Sequence, residues 1–302
     1  MSVDISAEIN SLIEEIRDNK TDGASELARQ AILVMKAAAE TSEADNARDF
    51  LLEQKEVGKR LIAARRTMAP IPNIITRYLR EIIKEDRKDN LESTRRQAVS
   101  LADDMHRDSV NAVSKIIDST AELIENRDVI LTHSYSSTVA AAIKEIAGLK
   151  RGIKVIVTKS GTGRYGERTA QELAEDGIPV LYIDDTAIGL YISGVNKVLV
   201  GADRITADGK IINGAGTYTI AAAAKMNNIP VYVLCETLKF DFAISSSKVD
   251  LEERGNTGLI EEGVLPPEVK ISNPTFDITP LDFITAIISE NGVVTADELI
   301  TS

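Results

Sequence analysis

The sequence predicts an α/β protein in which an all-helical N-terminal domain, residues 1–125, precedes a domain with a mainly parallel sheet, residues 126–302. Two patterns predict this division. Up to residue 125, apolar side chains recur at three- and four-residue spacing with charged residues between them, as in amphipathic helices. From Val129 onward, short β-branched runs alternate with amphipathic segments, which is typical of parallel strands joined by helical crossovers.

The helical half indicates where its helices begin and end. No proline occurs before Pro70, and Pro70 and Pro72 are expected to end one helix so that Asn73 caps the next. The polar segment 125–128 then separates the last of these helices from the first strand. The predicted helices cover residues 5–16, 24–39, 45–66, 74–87 and 91–125.

The second half alternates predicted strands with predicted helices. The apolar runs that predict strands cover residues 129–133, 153–158, 179–183, 197–201 and 230–234. The helices expected between them cover residues 138–149, 169–176 and 217–227, and residues 295–300 predict a last short helix.

Composition excludes several classes of protein. The chain carries 35 basic and 47 acidic residues, a net charge of -12, so it is a poor candidate for direct binding to nucleic acid. One cysteine, Cys235, and two histidines, His106 and His133, exclude a disulfide framework and disfavour a cysteine- or histidine-rich metal site. We therefore expect neither a metal nor a cofactor.

The distribution of apolar residues also indicates where in the cell the protein is expected. No stretch is long and apolar enough to cross a membrane, and the acidic N-terminus lacks the basic and apolar regions of a signal peptide. The expectation is a soluble cytoplasmic protein without a membrane partner.

Polar residues follow each predicted strand. In an open parallel sheet, ligands bind outside the carboxyl ends of the strands, so these segments are expected to share one rim. Their hydroxyls, cations, carboxylates and glycines suit a small phosphorylated ligand. Arg164 could hold a phosphate in bidentate fashion. The segments cover residues 133–138, 158–166, 184–185, 201–204 and 235–240.

Each of these features also has an ordinary structural interpretation. Serines after a strand commonly cap the next helix, and Gly161-Thr162-Gly163 matches neither a Walker A nor a dinucleotide-binding fingerprint. Cys235 fits a small core residue better than a nucleophile, and His133 fits a hydrogen-bonded structural residue better than a catalyst. The pattern alone leaves both interpretations open.

Taken together, the motifs resemble those of a known family. That family comprises the regulatory alpha, beta and delta subunits of translation initiation factor 2B and the isomerases of methylthioribose 1-phosphate and ribose 1,5-bisphosphate. The resemblance covers nearly the whole chain and implies a Rossmann-like second domain that forms at least a homodimer. The motifs that carry it are the segments 130–136, 200–209, 213–217, 236–240 and 273–280.

The resemblance implies catalytic residues only if the chain is an isomerase. That branch carries a cysteine after its strand-end Thr-His, where this chain has Ser134. A hydroxyl is a far weaker acid than a thiol and needs an activating base. The second catalytic residue of the branch, the aspartate of Gly-Ala-Asp, is present as Asp203. An isomerase would then work with Asp203 and an unusual acid or base, His133 or Tyr135.

The resemblance also implies ligand-binding residues, with two departures. The Arg-Gly-Ala-Gly clasp of ribose bisphosphate isomerases corresponds to Asp22-Gly23-Ala24-Ser25, and their Asn-Lys pair corresponds to Asn213-Gly214. A carboxylate has replaced one cation and a second cation is absent, which should weaken bisphosphate binding. The helix start at Gly216-Thr217 would add an anion site. The remaining candidates are Gly23, Ala24, Arg65, Ser136, Arg164, Asn213 and Lys239.

These departures favour one function over two alternatives. The leading prediction is a non-catalytic regulator like initiation factor 2B, which by resemblance would bind the initiation factor 2 alpha subunit and sense a sugar phosphate or nucleotide. The first alternative is a sugar-phosphate aldose–ketose isomerase of the ribose 1,5-bisphosphate type. The second is an oligomeric scaffold with a vestigial pocket.

Overall fold

The computed structural model describes residues 5–19, 22–65, 68–84, 90–295 and 298. It confirms the predicted fold class, with helices first and a mainly parallel sheet after them. The chain divides into two compact units, Met1–Ala112 and Val113–Ser302. Among the described residues, no helix combines the length and the apolar character needed to cross a membrane.

In the described part of the first unit, all regular secondary structure is α-helix. Its helices bury apolar stripes that include Leu27, Phe50 and Tyr78, each with no more than 1% of its surface exposed. Ser6 and Asn46 cap the first and third helices by accepting backbone hydrogen bonds. The helices are α1 (Ala7–Asp18), α2 (Ala24–Thr41), α3 (Ala47–Ala64), α4 (Pro70–Lys84) and α5 (Leu91–Leu123), the last of which extends into the second unit.

The expectation that Asn73 caps α4 was wrong. The helix begins at Pro70, and the Asn73 N–H already donates to Ala69 O over 3.1 Å. Residues of the first helical turn have no intrahelical partner for their N–H, so prolines at 70 and 72 are accommodated there. The two prolines therefore open α4 instead of separating it from the preceding helix.

The second unit contains a seven-stranded sheet in the order β11-β10-β7-β4-β1-β2-β3. All neighbours pair in parallel except β10 and β11. The strands are β1 (Val129–Thr132), β2 (Lys154–Thr158), β3 (Val180–Ile183), β4 (Lys197–Val200), β5 (Arg204–Thr206), β6 (Lys210–Gly214), β7 (Val231–Leu234), β8 (Phe240–Asp241), β9 (Phe276–Pro280), β10 (Ala286–Ser289) and β11 (Gly292–Thr295).

A second, four-stranded sheet in the order β8-β5-β6-β9 lies beyond the end of β4. The helices of the unit are α6 (Ser137–Leu149), α7 (Tyr165–Glu175), α8 (Ile188–Tyr191) and α9 (Thr217–Met226). Strand β11 ends at Thr295, and the rest of the helix expected over residues 295–300 lies outside the described residues except for Glu298.

Both faces of the large sheet are buried, because successive strand residues point to opposite sides. Ile130 and Val157 pack with Ile116 of α5 and with α6 on one face. Leu131 and Ile156 pack with the α8–α9 side on the other. This double covering explains why the strands read as continuous apolar runs, and it leaves the carboxyl ends of the strands as the exposed rim.

Candidate functional site

The candidate site lies where the strand order reverses. Strands β1, β2 and β3 are neighbours in chain order, and β4 then pairs with the other edge of β1. Thr132 of β1 lies opposite Leu199 of β4, so the segments that follow these two strands start side by side. Such a switch point opens a crevice at the carboxyl ends of the strands, which is the usual ligand position in this architecture.

Two serines follow β1. Ser134 has a positive φ of 65°, its N–H donates to Ser160 Oγ over 2.6 Å, and its carbonyl accepts from Thr169 Oγ1 over 2.8 Å. Ser136 caps α6 by accepting from the Val139 N–H. Gly201 makes room for Ser136, because a Cβ at residue 201 would lie 2.8 Å from Ser136 Oγ. The segment is therefore held rigidly against β2, α7 and the end of β4.

Asp203 follows β4 and is anchored by its backbone. Its N–H donates to Ile212 O over 2.9 Å, which ties it to β6. Within the described part of the chain its carboxylate accepts no hydrogen bond, and burial raises its pKa. The positive charge of Lys239 opposes this rise, and the negative charge of Glu252 adds to it. Asp203 is partly buried, and a carboxyl group with a raised pKa and no hydrogen bond from the described residues suits proton transfer.

Lys239 and Cys235 follow β7, the neighbour of β4. Both are buried, with 5% and 1% of their surfaces exposed. Burial raises the pKa of the Cys235 thiol to about 12, so the thiol stays protonated and Cys235 is a core residue. The positive charge of Lys239 acts on the Asp203 carboxyl group and lowers its pKa.

The end of β6 brings these residues together. Asn213 is buried and donates from Nδ2 to Thr217 Oγ1 over 3.0 Å. A Cβ at Gly214 would lie 2.8 Å from Ser134 Oγ, so the glycine is in contact with Ser134. Asp203 is bonded through its backbone N–H to Ile212, the residue before Asn213, so β6 links the segment that carries Asp203 to the one that carries Ser134.

The anion site expected at the start of α9 is already filled. The Asp277 carboxylate accepts from the Gly216 N–H over 2.8 Å and from the Tyr218 N–H over 2.9 Å. This carboxylate satisfies the positive end of the helix that a phosphate would need. The expectation of an anion site at Gly216-Thr217 was therefore wrong, because β9 delivers a carboxylate that local sequence did not reveal.

His133 is a structural residue. Its Nε2–H donates to Ala215 O over 3.0 Å, which leaves Nδ1 to accept from the Thr158 hydroxyl over 2.6 Å. Burial lowers its pKa, so the ring is held neutral. Tyr135, the other suggested acid or base, donates to Glu172 over 3.0 Å while its ring lies 3.8 Å from the Arg168 guanidinium. Both side chains are therefore engaged by the protein itself.

The neutral state of His133 predicts a pH dependence of stability. The unfolded histidine titrates near pH 6.5, whereas the folded one resists protonation, so below that pH only the unfolded state gains the proton. The free energy of unfolding should then fall by up to about 1.4 kcal/mol per pH unit. Urea unfolding at pH 7.5, 6.5 and 5.5 should show this extra loss in the wild type and not in His133→Gln. Parallel pH profiles for the two proteins would contradict it.

The remaining predicted residues lie elsewhere. Arg164 is exposed on the rim, and its guanidinium pairs with Glu167, with 2.6 Å between Nε and Oε1. Gly23 precedes α2 as its N-cap, Ala24 opens that helix, and Arg65 donates to Ile16 O over 3.2 Å. These three belong to the first unit.

The carboxylate at Asp22 has a local role. It accepts from Asn19 Nδ2 over 2.9 Å and from Gln30 Nε2 over 3.0 Å. It therefore ties the turn between α1 and α2 to the first turns of α2. These hydrogen bonds give Asp22 a structural role at the position where the resemblance implies an arginine.

The sequence did not indicate the candidate site residues that lie in the segment between β8 and β9. Glu252, whose charge acts on Asp203, and Arg254 both belong to it. The segment lacks helical or strand periodicity, so nothing in its spacing indicates where it lies. Its position follows from the pairing of β9 with β6, which joins residues more than sixty positions apart. Among the described residues, no group of three or more His, Cys, Asp or Glu is arranged to hold a metal ion.

Comparison with known proteins places these features in context. Residues 20–296 match the initiation factor 2 subunit family. A ribose 1,5-bisphosphate isomerase of Pyrococcus furiosus is 36% identical over 300 residues, covering 97% of this chain and 92% of that protein. Translation initiation factor eIF-2B of Pyrococcus horikoshii superimposes with a TM-score of 0.81 at 31% identity, covering 96% of this chain and 98% of that one. 5-Methylthioribose 1-phosphate isomerase of Pyrococcus horikoshii gives 0.80 at 25% identity, covering 97% and 86%.

These comparisons confirm the resemblance and correct the functional prediction. The leading prediction of a non-catalytic regulator was wrong, since relatives that match nearly the whole chain are named ribose 1,5-bisphosphate isomerase. That prediction gave most weight to Ser134, Asp22 and Gly214 as losses of chemistry. The structure shows instead that the charge of Lys239 acts on the Asp203 carboxyl group, and that Asp22 is bonded within its own turn.

Proposed function

The chain belongs to the initiation factor 2 subunit family, and we propose that it is an aldose–ketose isomerase of a phosphorylated sugar. Relatives named ribose 1,5-bisphosphate isomerase and a structural neighbour named 5-methylthioribose 1-phosphate isomerase support this activity. The reaction takes place at the rim formed by the segments after β1, β4 and β7. A phosphorylated pentose is the substrate class.

One observation carries the proposal: the Asp203 carboxyl lies at the switch point, partly buried, with its pKa raised and without a hydrogen bond from any described residue. Aldose–ketose isomerisation moves a proton between adjacent carbons, and Asp203 accepts it from one carbon and returns it to the next. The buried Lys239 ammonium stabilises the negative charge that develops on the sugar oxygens meanwhile.

Ser134 has a different part in this scheme from that of a thiolate. Its hydroxyl is too weak an acid to serve as the proton-transferring group at neutral pH. It donates a hydrogen bond to a sugar oxygen next to Asp203, in a position fixed by Ser160 and Gly214. Asn213 and Ser136 border the same volume as ligand-binding residues. Gly23, Ala24, Arg65 and Arg164 remain candidates for ligand binding by resemblance.

The proposal predicts turnover that depends on Lys239. Wild-type protein incubated with ribose 1,5-bisphosphate, 5-methylthioribose 1-phosphate and a panel of pentose phosphates should convert at least one aldose to its ketose, as followed by ¹³C and ³¹P NMR. Lys239→Gln should lower kcat by about 10²- to 10³-fold, because it removes the charge that stabilises the transition state. The exposed Lys248→Gln is the matched control. Absence of conversion of every sugar by the wild type would overturn the proposal.

Association with other chains is a separate proposal. The family name describes its members as subunits, which supports oligomerisation, and we expect at least a homodimer in solution. Light scattering coupled to size-exclusion chromatography measures this directly, and a monomer at all concentrations would refute it. Binding to the initiation factor 2 alpha subunit, implied by the resemblance, is testable by calorimetry with the purified partner.

A further inference from the structure

We propose that Arg254 binds a phosphate group of the substrate at the mouth of the site. The inference rests on the proposed function and adds a residue that determines substrate choice. It starts from a contrast between two neighbouring arginines on the rim. Arg164 is neutralised by Glu167, whereas the groups that hold Arg254 are uncharged.

The Arg254 guanidinium is fixed at two points. Its Nε donates to Thr275 Oγ1 over 2.9 Å, and one terminal nitrogen, Nη2, donates to Tyr165 OH over 2.8 Å. The guanidinium carbon lies 5.0 Å from the centre of the Tyr165 ring. Among the described residues, no carboxylate lies within ion-pair distance of it. A guanidinium held in one orientation with its charge uncompensated is prepared for a planar anion such as phosphate.

The adjacent carboxylate does not neutralise this charge. Glu253 accepts from Ser272 Oγ over 2.7 Å and from the Asn273 N–H over 2.6 Å, so its side chain is used to close the loop. The backbone of Arg254 donates to Asn273 O over 3.0 Å in the same closure. The loop thus holds Arg254 in place by bonds that leave its positive charge available.

The other terminal nitrogen, Nη1, lies against a glycine. A Cβ at Gly163 would be 2.2 Å from Nη1, so only glycine allows the guanidinium to lie over this turn. Gly163 belongs to the glycine-rich turn after β2, whose flanking residues Ser160 and Arg164 have positive φ values. The absence of a side chain at Gly163 therefore helps to fix the position of the guanidinium at this turn.

Arg254 is joined to the reacting groups through short paths. The Thr275 hydroxyl accepts from Arg254, and the Thr275 carbonyl accepts from the Ala215 N–H over 3.0 Å. Ala215 follows Gly214, which contacts Ser134. Glu252, two residues earlier in the loop, acts electrostatically on Asp203. These links connect the loop of Arg254 to both residues that would contact the sugar, which makes Arg254 the candidate for binding its terminal phosphate.

The test compares Arg254→Gln with Arg254→Lys and with Arg107→Gln as the matched control. Arg254→Gln should raise KM for the converted sugar phosphate by about 10- to 100-fold, the equivalent of a lost charge-assisted hydrogen bond, with kcat changed less than threefold. Arg254→Lys keeps the charge and should recover part of the affinity. Arg107→Gln should behave as the wild type, because Arg107 is exposed, lies in the first unit and has its charge paired with Asp104.

Binding without turnover gives a second readout. Inorganic phosphate and ribose 5-phosphate should raise the Tm of the wild type and of Arg107→Gln but not that of Arg254→Gln. A lower Tm in the absence of ligand together with an unchanged KM would mean that Arg254 only closes its loop, and would overturn the inference while the proposed function stands. A wild type that neither binds nor converts any phosphorylated sugar would overturn both.

Discussion

Asp203→Asn is expected to abolish isomerisation, with a loss of kcat of about 10³-fold or more, at the upper range for an acid–base group. The amide keeps the size of the carboxyl group and cannot accept and return a proton. Asp203 receives no hydrogen bond from the described residues, and its backbone N–H, which ties it to Ile212, is untouched by the change. NMR that follows the conversion of a phosphorylated pentose by the wild type and by Asp203→Asn measures the effect.

The same variant should leave the protein as stable as the wild type or more stable. Burial raises the pKa of Asp203, which means that the folded state holds the charged carboxylate at a cost in free energy. An uncharged isostere removes that cost above the titration range of the carboxyl group. Asp250→Asn, on the loop near Glu252, is the control for nonspecific loss of charge. Full activity in Asp203→Asn would remove Asp203 from the mechanism, and an unfolded variant would show a structural role instead.

Gly166→Ala is expected to cost about 3 kcal/mol or more of the free energy of unfolding, beyond the usual range for overpacking. Gly166 lies in the first turn of α7, and a Cβ there would be 1.7 Å from Thr158 O at the end of β2. Thr158 O is a backbone atom and the position of a Cβ is fixed by the backbone, so neither atom can rotate away and α7 must shift relative to the sheet. The displaced turn would also move Ser160 and with it the hydrogen bond that positions Ser134.

Gly148→Ala is the matched control for that substitution. Gly148 also lies in a helix that covers the sheet, and a Cβ there meets no atom within 4 Å. Alanine should be neutral or stabilise the protein by up to about 1 kcal/mol, because it reduces the freedom of the unfolded chain. Urea unfolding of the two variants gives the comparison. Equal stabilities would mean that the approach of α7 to β2 can relax at little cost.

The sequence by itself determined the alternation of strands and helices and the rim on which the site lies. Apolar runs bounded by polar segments are local signals, and the carboxyl ends of parallel strands meet at one edge, so Ser134, Asp203 and Lys239 could be grouped before the structure was known. The motifs also identified the family, because their order and spacing are local properties of the chain.

Local signals failed where a segment's place depends on pairing with a distant one. The small sheet, the Asp277 carboxylate at the start of α9 and the loop that carries Glu252 and Arg254 all follow from the pairing of β9 with β6. Short strands and aperiodic loops carry little pattern of their own.

The contacts also changed the interpretation of single residues. Asp22, at the position of a family arginine, proved to be bonded within its turn, and His133, a candidate acid or base, proved to be neutral and doubly hydrogen-bonded. Sequence sets which side chains are present along the rim. Tertiary structure alone decided which of them remain available for chemistry, because burial and hydrogen bonding to distant segments use up the others.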